Sequence, residues 1–512
     1  MRVSTYLKRP EFIILVIILL LFAIRPFTCY TETKTDRASY TIGSQMLASG
    51  HFYLESPPAN FNVAHCVNRD GRFYSRYFPG TLMLGALGFK LFGSWYFLNV
   101  LALGGVLLIL ADLGRRLTGV KMLAWMPLIL VGIYIDLPME IFTFHSVIYS
   151  VFFTLLFVWC LYRGLEEGSL WRLAIAGSAI GCAAITRPML PAILIIITGL
   201  IFLLNAVLKG RREWLKLAYF AAPVVICLCF QLWYNFRVTG SWLTIPFDQY
   251  DPHSSMGFGL KGDNFSGDYH LFTPLDMIRG FHRILWGRLG LIFPVFVSIG
   301  FLAWGLVALN HRRRQVSGNT MNARIVIVLV MAIGTGLYVI MMCAFWCGLG
   351  FRYYFLEVYC FGIILITIAA GWYVKSKGDF ARKVVILTML MFIAFSLFET
   401  AFSTYLGVKT TRLWKRIFVQ LEDLSKEEDT LFFIHKFNEN EYSGGRWVLG
   451  NRRTQYLLNP LDYKGKRLFA MSLGESDTEF IQQYADKRQI IHITLDHQKG
   501  EVSIWREGCN SP

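Results

Sequence analysis

Long apolar runs are the feature that most constrains what this 512-residue chain can fold into. A helix that crosses a bilayer needs about 20 mainly apolar residues, within a range near 17–25. About eleven runs of that length occur, at 12–28, 95–113, 119–136, 143–162, 170–186, 189–207, 215–235, 289–309, 324–344, 354–373 and 385–405. The pattern predicts an all-α polytopic membrane protein with its transmembrane domain at residues 1–405.

The balance of residue types excludes a soluble enzyme, a disordered chain and a fibrous protein. Hydrophobic residues make up 55% of the chain and charged residues only 16%, whereas charged residues form about a quarter of a soluble protein. Lys and Arg (50) exceed Asp and Glu (34), which gives a net charge of +16. Because the basic residues lie mostly in short loops between apolar runs, they favour anionic lipid headgroups and phosphate-bearing substrates over nucleic acid.

The basic residues also predict the orientation of the chain. Every second short connection carries them, at Arg2, Lys8, Arg9, Arg115, Arg116, Lys121, Arg163, Arg172, Lys209, Arg211, Arg212, Lys216, Arg312, Arg313, Arg314, Arg324, Lys375, Lys377, Arg382 and Lys383. Basic loops stay in the cytoplasm, so the N-terminus is expected inside and the C-terminus outside. The first run resembles a signal peptide in length, but no A-x-A site follows it, which favours a retained anchor.

Three segments are too polar for the membrane. They are a first external loop at 29–94, a second large external loop at 236–288 and a tail at 406–512. The tail alternates strand-like runs at 430–435, 467–472, 489–494 and 502–505 with a helix-like run at 477–485. This order predicts a small extracytoplasmic α/β domain.

The ten cysteines and the loop carboxylates give no metal signature. The cysteines show no CxxC or Cys/His spacing, and Cys29 and Cys66 in the first external loop are open to either a disulfide or two free thiols. The second loop contains Asp248, Asp251, His253, Asp263, Asp268 and His270, again without ligand spacing. We therefore assign no metal ligand and no cofactor, and a divalent metal stays an open alternative.

Ionisable side chains collect at the predicted external ends of the helices. They are Asp36, Arg37, Arg76, Asp136, Glu140, His145, Arg187, Arg288 and Arg352. A carboxylate can take the proton of an acceptor hydroxyl, and arginines can bind a phosphate leaving group, so the set suits transfer from a lipid phosphate. Asp36 is the candidate base, but on composition alone a solvated loop carboxylate or a helix N-cap is the favoured interpretation, because the helix-like run ASYTIGSQMLASG follows.

Several motifs support a family resemblance in order along the chain. They are Asp36 followed by Tyr40, YSRYFPGTLMLGALGFKLFG at 74–93, ITRPMLP at 185–191, YNFRVTGSWL at 234–243, WGRLGLIFP at 286–294 and WCGLGFRYYF at 346–355. In these motifs the chain resembles the GT-C class of glycosyltransferases that use polyprenyl-phosphate sugars. The resemblance is greatest to bacterial relatives of protein O-mannosyltransferases and lipid A aminoarabinose transferases. The family often has an Asp-Glu pair where this chain has Asp36 and Arg37.

The resemblance implies a glycosyltransferase that moves a sugar, with inversion, from a polyprenyl phosphate to a lipid, glycan or protein acceptor of the envelope. It implies an active site on the extracytoplasmic face of a membrane that we expect to be the bacterial inner membrane. Asp36 is then the general base and Glu140 a second acidic residue that positions the acceptor. Arg76, Arg187, Arg288 and Arg352 are the expected ligands of the donor phosphate. Arg279 and Arg283, at i and i+4 on one helix face, are expected to contact lipid headgroups.

Three other functions stay open. A transporter or lipid flippase would need charges or broken helices at mid-membrane, which this chain shows weakly. A catalytically inactive assembly subunit of the same fold is compatible with Arg37 in place of the second acid. A glycan polymerase or ligase that uses lipid diphosphates differs from the favoured function only in the chemistry of its donor.

Overall fold

The computed structural model describes a large part of the chain. The described residues are 16, 19, 35–57, 65–118, 126–127, 145–250, 252, 258–263, 268–279, 323–343, 355–371, 373–375, 378–380, 382–387, 429–434, 467–471, 480–481, 488–496 and 501–506. They form a helical bundle, two small sheets in the polar loops and one sheet in the C-terminal region.

The helices follow the hydropathy pattern. They are α1 (Thr35–Ala48), α2 (Pro79–Phe92), α3 (Tyr96–Thr118), α4 (Ser146–Glu167), α5 (Leu170–Ala184), α6 (Met189–Lys209), α7 (Arg211–Thr239), α8 (Pro246–Tyr250), α9 (Ala323–Cys343) and α10 (Leu356–Lys375). Among the described residues, six helices are long and apolar enough to cross a membrane, namely α3, α4, α6, α7, α9 and α10.

Each of these six helices coincides with a predicted spanning run, which confirms an integral membrane protein of mostly helical structure. The run at 170–186 forms α5, which has only 15 residues. Val16 and Leu19 of the first run are helical, and Leu19 packs against the core of the bundle. The runs at 119–136, 289–309 and 385–405 lie almost wholly outside the described residues, so the total of eleven stays a prediction.

Local sequence signals set the ends of the helices around the bundle. Pro79 begins α2 because its ring fixes φ, and Gly93 ends that helix in the left-handed conformation at φ 66°. The Ser169 side chain caps α5 by accepting from the Arg172 backbone N–H. Pro188 then precedes α6 after a turn of two residues, Thr186 and Arg187. This turn returns the chain to the same end of the bundle as the start of α2.

Small residues let α5 approach its neighbours closely. A Cβ atom added to Gly177 would lie 2.1 Å from the Phe220 carbonyl oxygen of α7. A Cβ atom added one turn later, at Gly181, would lie 2.8 Å from Cys227 Sγ. Such a small-xxx-small face allows backbone-to-backbone packing between membrane helices. We infer that Gly177 and Gly181 fix the close α5–α7 contact.

Ion pairs join α3, α4 and α5 at the end of the bundle where the basic connections lie. Asp112 accepts from Arg115 (2.6 Å), from Arg116 (2.7 Å) and from the Trp159 indole N–H (2.8 Å). Glu167 pairs with Arg163 at 2.5 Å and also with Arg172. These partly exposed pairs are worth little individually, and they neutralise part of the positive charge at that end.

A three-stranded antiparallel sheet organises the first external loop. It contains β1 (Leu54–Glu55), β2 (Cys66–Arg69) and β3 (Arg72–Ser75) in the order β1-β3-β2. Asp70 and Gly71 join β2 to β3, and both have positive φ (53° and 74°). This is the backbone of a two-residue hairpin turn, which an Asp-Gly pair favours. Helix α1 packs on α2 and β3 beside this sheet.

Two further sheets lie in the other polar segments. Strands β4 (Gly259–Asp263) and β5 (Asp268–Phe272) form a hairpin in the second large loop. In the tail, β6 (Thr430–Ile434), β7 (Arg467–Met471), β8 (Gln489–Asp496) and β9 (Glu501–Arg506) form one sheet in the order β7-β6-β8-β9. Strand β6 is parallel to β7 and β8, and β9 is antiparallel to β8. A separate extracytoplasmic domain at 406–512 stays a prediction.

The close α5–α7 packing gives a test of the fold. We expect Gly177→Ala to lower the free energy of unfolding by about 1–3 kcal/mol, because the new methyl group overlaps the Phe220 carbonyl. Thermal unfolding of the purified protein in detergent measures the change. The matched control is Gly199→Ala on α6, where nothing lies within 4 Å of the new Cβ atom. Equal unfolding temperatures for both variants would contradict the proposed close packing.

Candidate active site

Two of the motifs that support the family resemblance contact each other in the structure. The Gly80 N–H at the start of α2 donates to the Ile185 carbonyl oxygen at 2.9 Å. A Cβ atom on Gly80 would lie 2.3 Å from Thr186 Oγ1, so only glycine fits at this contact. The Arg187 N–H donates to the Ala183 carbonyl at 2.8 Å and continues the last turn of α5. The segments that contain Arg76 and Arg187 therefore meet at one end of the bundle.

Arg76 is enclosed by aromatic rings from two loops. Its guanidinium carbon lies 5.2 Å from the centre of the Tyr77 ring, 4.8 Å from Phe247 and 4.7 Å from Tyr250. Its Nη2 atom donates to the Tyr77 hydroxyl at 3.3 Å, and its backbone N–H donates to the His65 carbonyl at 3.2 Å. Aromatic faces attract a guanidinium without cancelling its formal charge. The rings therefore fix the position of a half-buried positive charge.

Helix α8 closes this enclosure from the second large loop. The Tyr74 hydroxyl on β3 donates to Gln249 Oε1 of α8. Burial raises the pKa of Tyr74 to about 12, so the phenol keeps its proton and stays a donor near neutral pH. The neighbouring Tyr250 ring lies 5.4 Å from the ring of His65. The start of the second loop thus contacts the first loop next to Arg76.

Tyr40 connects α1 to the rest of the site. Its ring stacks on Tyr77 with centres 3.9 Å apart and an angle of 14° between the planes. Its hydroxyl donates to Ser146 Oγ at 3.0 Å at the start of α4, and His145 lies 5.5 Å away, ring to ring. Asp36 lies one turn before Tyr40 in α1, so these two positions share a face of the helix. The Asp36 side chain lies outside the described residues.

Buried hydroxyl and thiol groups anchor the hairpin to α1. Ser39 Oγ donates to the His65 carbonyl at 2.6 Å and lies 2.9 Å from Ser75 Oγ. The Cys66 thiol donates to Ser39 Oγ at 3.4 Å and is a free thiol, and Cys29 lies outside the described residues. Burial raises the pKa of Cys66 to about 12. Cys66 is therefore a structural thiol near neutral pH.

Sequence reasoning missed one acidic residue, Glu357, in the first turn of α10. Its side chain is 2% exposed. Its Oε1 atom is buried and makes no hydrogen bond to a described residue. A carboxylate within a long apolar run is expensive to bury and marks a functional position by default. This signal is visible in the run at 354–373, where Glu357 is the only charged residue.

The structure describes some of the predicted site residues and not others. Arg76 and Arg187 lie on contacting segments, as described above. Arg279 is exposed, lies on a short helix at 274–279 and pairs with Asp276 at 3.5 Å. Thr273 and Asp276 cap the start of this helix reciprocally, because each side chain accepts from the other residue's backbone N–H. Glu140, Arg283, Arg288 and Arg352 lie outside the described residues. Within the part of the chain that is described, no three His, Cys, Asp or Glu side chains lie together in a group that could hold a metal.

The fold is similar to that of known membrane proteins. Crystal structures of ArnT, a lipid A aminoarabinose transferase with the GT-C fold, are structural neighbours of this chain. The likeness to the GT-C class that the sequence predicted is therefore confirmed at the level of the fold.

Two of these structures are of ArnT from Cupriavidus metallidurans. In the structure bound to undecaprenyl phosphate, the match covers 97% of this chain and 94% of ArnT, with 10% identity and a TM-score of 0.50. In the apo structure it covers 95% and 93%, with 11% identity and a TM-score of 0.52. No protein-family model and no curated protein sequence matches this chain.

The environment of Cys66 gives a test of the site geometry. In a variant whose only cysteine is Cys66, we expect almost no reaction with a water-soluble maleimide at pH 8 in the folded protein. The thiol is buried and its pKa is about 12, so about one thiol in 10⁴ is ionised. Denaturation should restore full labelling. The control is Glu55→Cys on a cysteine-free chain, an exposed position of the same sheet that should label rapidly. Equal rates at both positions would contradict the anchoring of β2 against α1.

Proposed function

We propose that this chain is an integral membrane glycosyltransferase that takes a sugar from a polyprenyl-phosphate donor and passes it to an acceptor of the cell envelope. The observation that carries the proposal is the shared fold with ArnT along nearly the whole chain. One of the matched ArnT structures is bound to undecaprenyl phosphate. A transmembrane bundle lets the lipid tail of such a donor stay in the bilayer while its phosphate enters a polar site at the helix ends.

The arrangement of the arginines supports this donor. Arg76 and Arg187 lie on segments joined by the Gly80–Ile185 hydrogen bond, and both side chains are half-buried. Guanidinium groups bind phosphate oxygens through paired N–H donors, and partial burial strengthens this attraction. We infer that both bind the donor phosphate, together with Arg288 and Arg352.

The proposed step is an inverting transfer with Asp36 as the general base. Asp36 takes the proton of an acceptor hydroxyl while the acceptor oxygen forms a bond to the anomeric carbon of the sugar. The bond from that carbon to the phosphate oxygen breaks, its electron pair stays on the phosphate, and polyprenyl phosphate leaves. The arginines stabilise the charge that develops on the phosphate, and Glu140 positions the acceptor. The step requires no cofactor, and a divalent metal remains an open addition.

The expected location is the bacterial inner membrane, with the site on the extracytoplasmic face. The acceptor is a lipid, a glycan or a protein. Arg279 and Arg283 are inferred to contact lipid headgroups beside the site, since Arg279 is exposed on its short helix. The ion pairs of Asp112 and Glu167 lie near the C-terminal ends of α3 and α4, away from the proposed site. A cytoplasmic, positively charged face is expected there.

The base assignment is tested in a deletion strain that expresses the wild type or Asp36→Asn. We expect transfer to fall by about 10²–10⁴-fold in the variant, the usual contribution of a general base. Mass spectrometry of lipid extracts and envelope glycans should show one polyprenyl-phosphate sugar that accumulates and one glycan that loses the matching sugar. Those two products also identify the donor and the acceptor.

The matched control is Asp70→Asn. Asp70 is an exposed carboxylate in the hairpin turn at φ 53°, a conformation that asparagine also tolerates. This variant should complement fully. If Asp36→Asn complements as well and no sugar-lipid changes, Asp36 is not the base, and a transporter, a flippase or an inactive assembly subunit becomes the better assignment. Accumulation of a diphosphate-linked glycan would identify a polymerase or ligase instead.

The orientation is tested by cysteine labelling in spheroplasts. Glu55 lies in the sheet of the first loop. Lys209 is the last residue of α6, about 30 Å along this 21-residue helix from its first residue, which follows the Arg187 turn. Both positions are exposed. On a cysteine-free chain, an impermeant maleimide should label Glu55→Cys at once and Lys209→Cys only after permeabilisation. The reverse order would overturn the extracytoplasmic position of the site.

A further inference from the structure

The β4–β5 hairpin of the second large loop has an inverted distribution of polar and apolar side chains. Leu260 and Leu271 are directly opposite each other in the register, and they are 54% and 67% exposed. The next residues along the two strands, Lys261 and Phe272, belong to the other face and are buried, at 4% and 2% exposure. A hairpin with one face in water normally buries its leucines and exposes its lysines. The outward face of this hairpin is therefore suited to contact with something other than water.

Apolar exposure continues along the chain on both sides of the hairpin. Phe258, just before β4, is exposed, and its ring stacks on the buried Phe272 ring with centres 6.2 Å apart. After β5 the helix at 274–279 exposes Leu275 and Ile278, which share one helical face at i and i+3. We define the second-loop apolar surface as Phe258, Leu260, Leu271, Leu275 and Ile278. Apolar side chains exposed singly are ordinary, but a set of them in one polar loop marks a contact surface.

The second loop leaves the bundle at a membrane boundary that aromatic residues mark. Trp233 and Phe236 at the C-terminal end of the spanning helix α7 are exposed, as is Trp242 just after it, and the Phe236 and Trp242 rings stack with centres 4.8 Å apart. Exposed tryptophans collect where the hydrocarbon meets the lipid headgroups. This end of α7 lies beside the first-loop sheet, because Arg72 Nη1 donates to the Val238 carbonyl at 3.5 Å. The second loop therefore begins at the bilayer surface on the site side of the bundle.

The size and the charge of the surface favour a bilayer over a protein partner. A stable protein interface takes about 20–30 residues a side, far more than the five side chains of the second-loop apolar surface. Arg279 is exposed next to Ile278, and its ion pair with Asp276 is long, at 3.5 Å, and open to solvent. Apolar side chains with an exposed arginine beside them fit the boundary between acyl chains and lipid phosphates.

We propose that the β4–β5 hairpin and the helix at 274–279 form an interfacial anchor, which inserts the second-loop apolar surface into the bilayer leaflet at the site end of the bundle. Arg279 binds the phosphates of anionic lipids beside it. Helix α8 lies between α7 and this anchor in the chain, so the segment that contributes Phe247 and Tyr250 to the Arg76 enclosure is held at the membrane on both sides. This membrane contact does not depend on the sugar donor, and it goes beyond the proposed function.

The experiment uses a nitrobenzoxadiazole fluorophore on Leu271→Cys in the cysteine-free full-length chain, reconstituted in nanodiscs of phosphatidylcholine and phosphatidylglycerol. We expect a blue-shifted emission that a nitroxide near the top of the lipid acyl chain quenches several-fold more than one near its end. The reason is that an interfacial element enters only about 5–10 Å into the headgroup and acyl boundary. Ile278→Cys is a second probe and should behave alike. The matched control is Glu55→Cys, an exposed position of the first-loop sheet that lipid nitroxides should quench weakly.

The role of Arg279 is tested in the same nanodiscs. Replacement of phosphatidylglycerol by phosphatidylcholine should lower the quenching at Leu271→Cys, because the anionic headgroups that attract the guanidinium are then absent. Arg279→Gln should remove this dependence on anionic lipid. If the quenching is the same in both lipid mixtures before any change at Arg279, the headgroup contact is wrong.

Quenching at Leu271→Cys and Ile278→Cys no stronger than at Glu55→Cys would overturn the anchor. A blue-shifted emission that lipid nitroxides do not quench would also overturn it, since protein then covers the surface. Energy transfer between two labelled copies in one nanodisc would in that case identify a second copy of the chain as the occupant. An unfolding temperature equal to that of the unlabelled chain shows that each labelled variant is folded, so a weak signal then counts against the anchor.

Discussion

The contact between Gly80 and the Ile185–Thr186 backbone is the constraint on which the geometry of the site depends. It joins the polar first loop to the apolar bundle by a 2.9 Å hydrogen bond, at a point where even a methyl group would overlap Thr186 Oγ1. Helix α2, the hairpin before it and α1 are connected to the bundle through this contact and through the Tyr40–Ser146 hydrogen bond. Both contacts help to fix the segment that contains Arg76 relative to the turn that contains Arg187.

The arginines at the two ends of the bundle have different kinds of partner. At the end with the basic connections, Asp112 and Glu167 form ion pairs with arginines of the same and neighbouring helices. At the site end, aromatic rings enclose Arg76. Ion pairs with carboxylates cancel charge, whereas aromatic faces preserve it. The site end therefore keeps a positive potential suited to a phosphate-bearing ligand.

The periodicity and hydropathy of the sequence predicted most of the described helices and the strands of the tail. The six described spanning helices and α1 follow from apolar runs and from the helix-like segment after Asp36, and the tail strands β6 to β9 fall within two residues of their predicted positions. The first-loop hairpin was missed, although Asp70-Gly71 between alternating residues is a strong turn signal. The small-xxx-small face of Gly177 and Gly181 was also readable in the sequence and was missed.

The aromatic enclosure of Arg76 and the burial of Glu357 illustrate why the rest could not be predicted. Phe247 and Tyr250 lie more than 170 residues from Arg76 in sequence, and only tertiary packing brings α8 onto the first loop. Glu357 was visible as a lone charge in an apolar run, but the burial of its side chain, at 2% exposure, depends on how the neighbouring helices pack. A spanning helix can bury such a group only where neighbouring helices supply compensation. The identity of the compensating group, and hence the function of the charge, is therefore a property of the packed bundle rather than of the run itself.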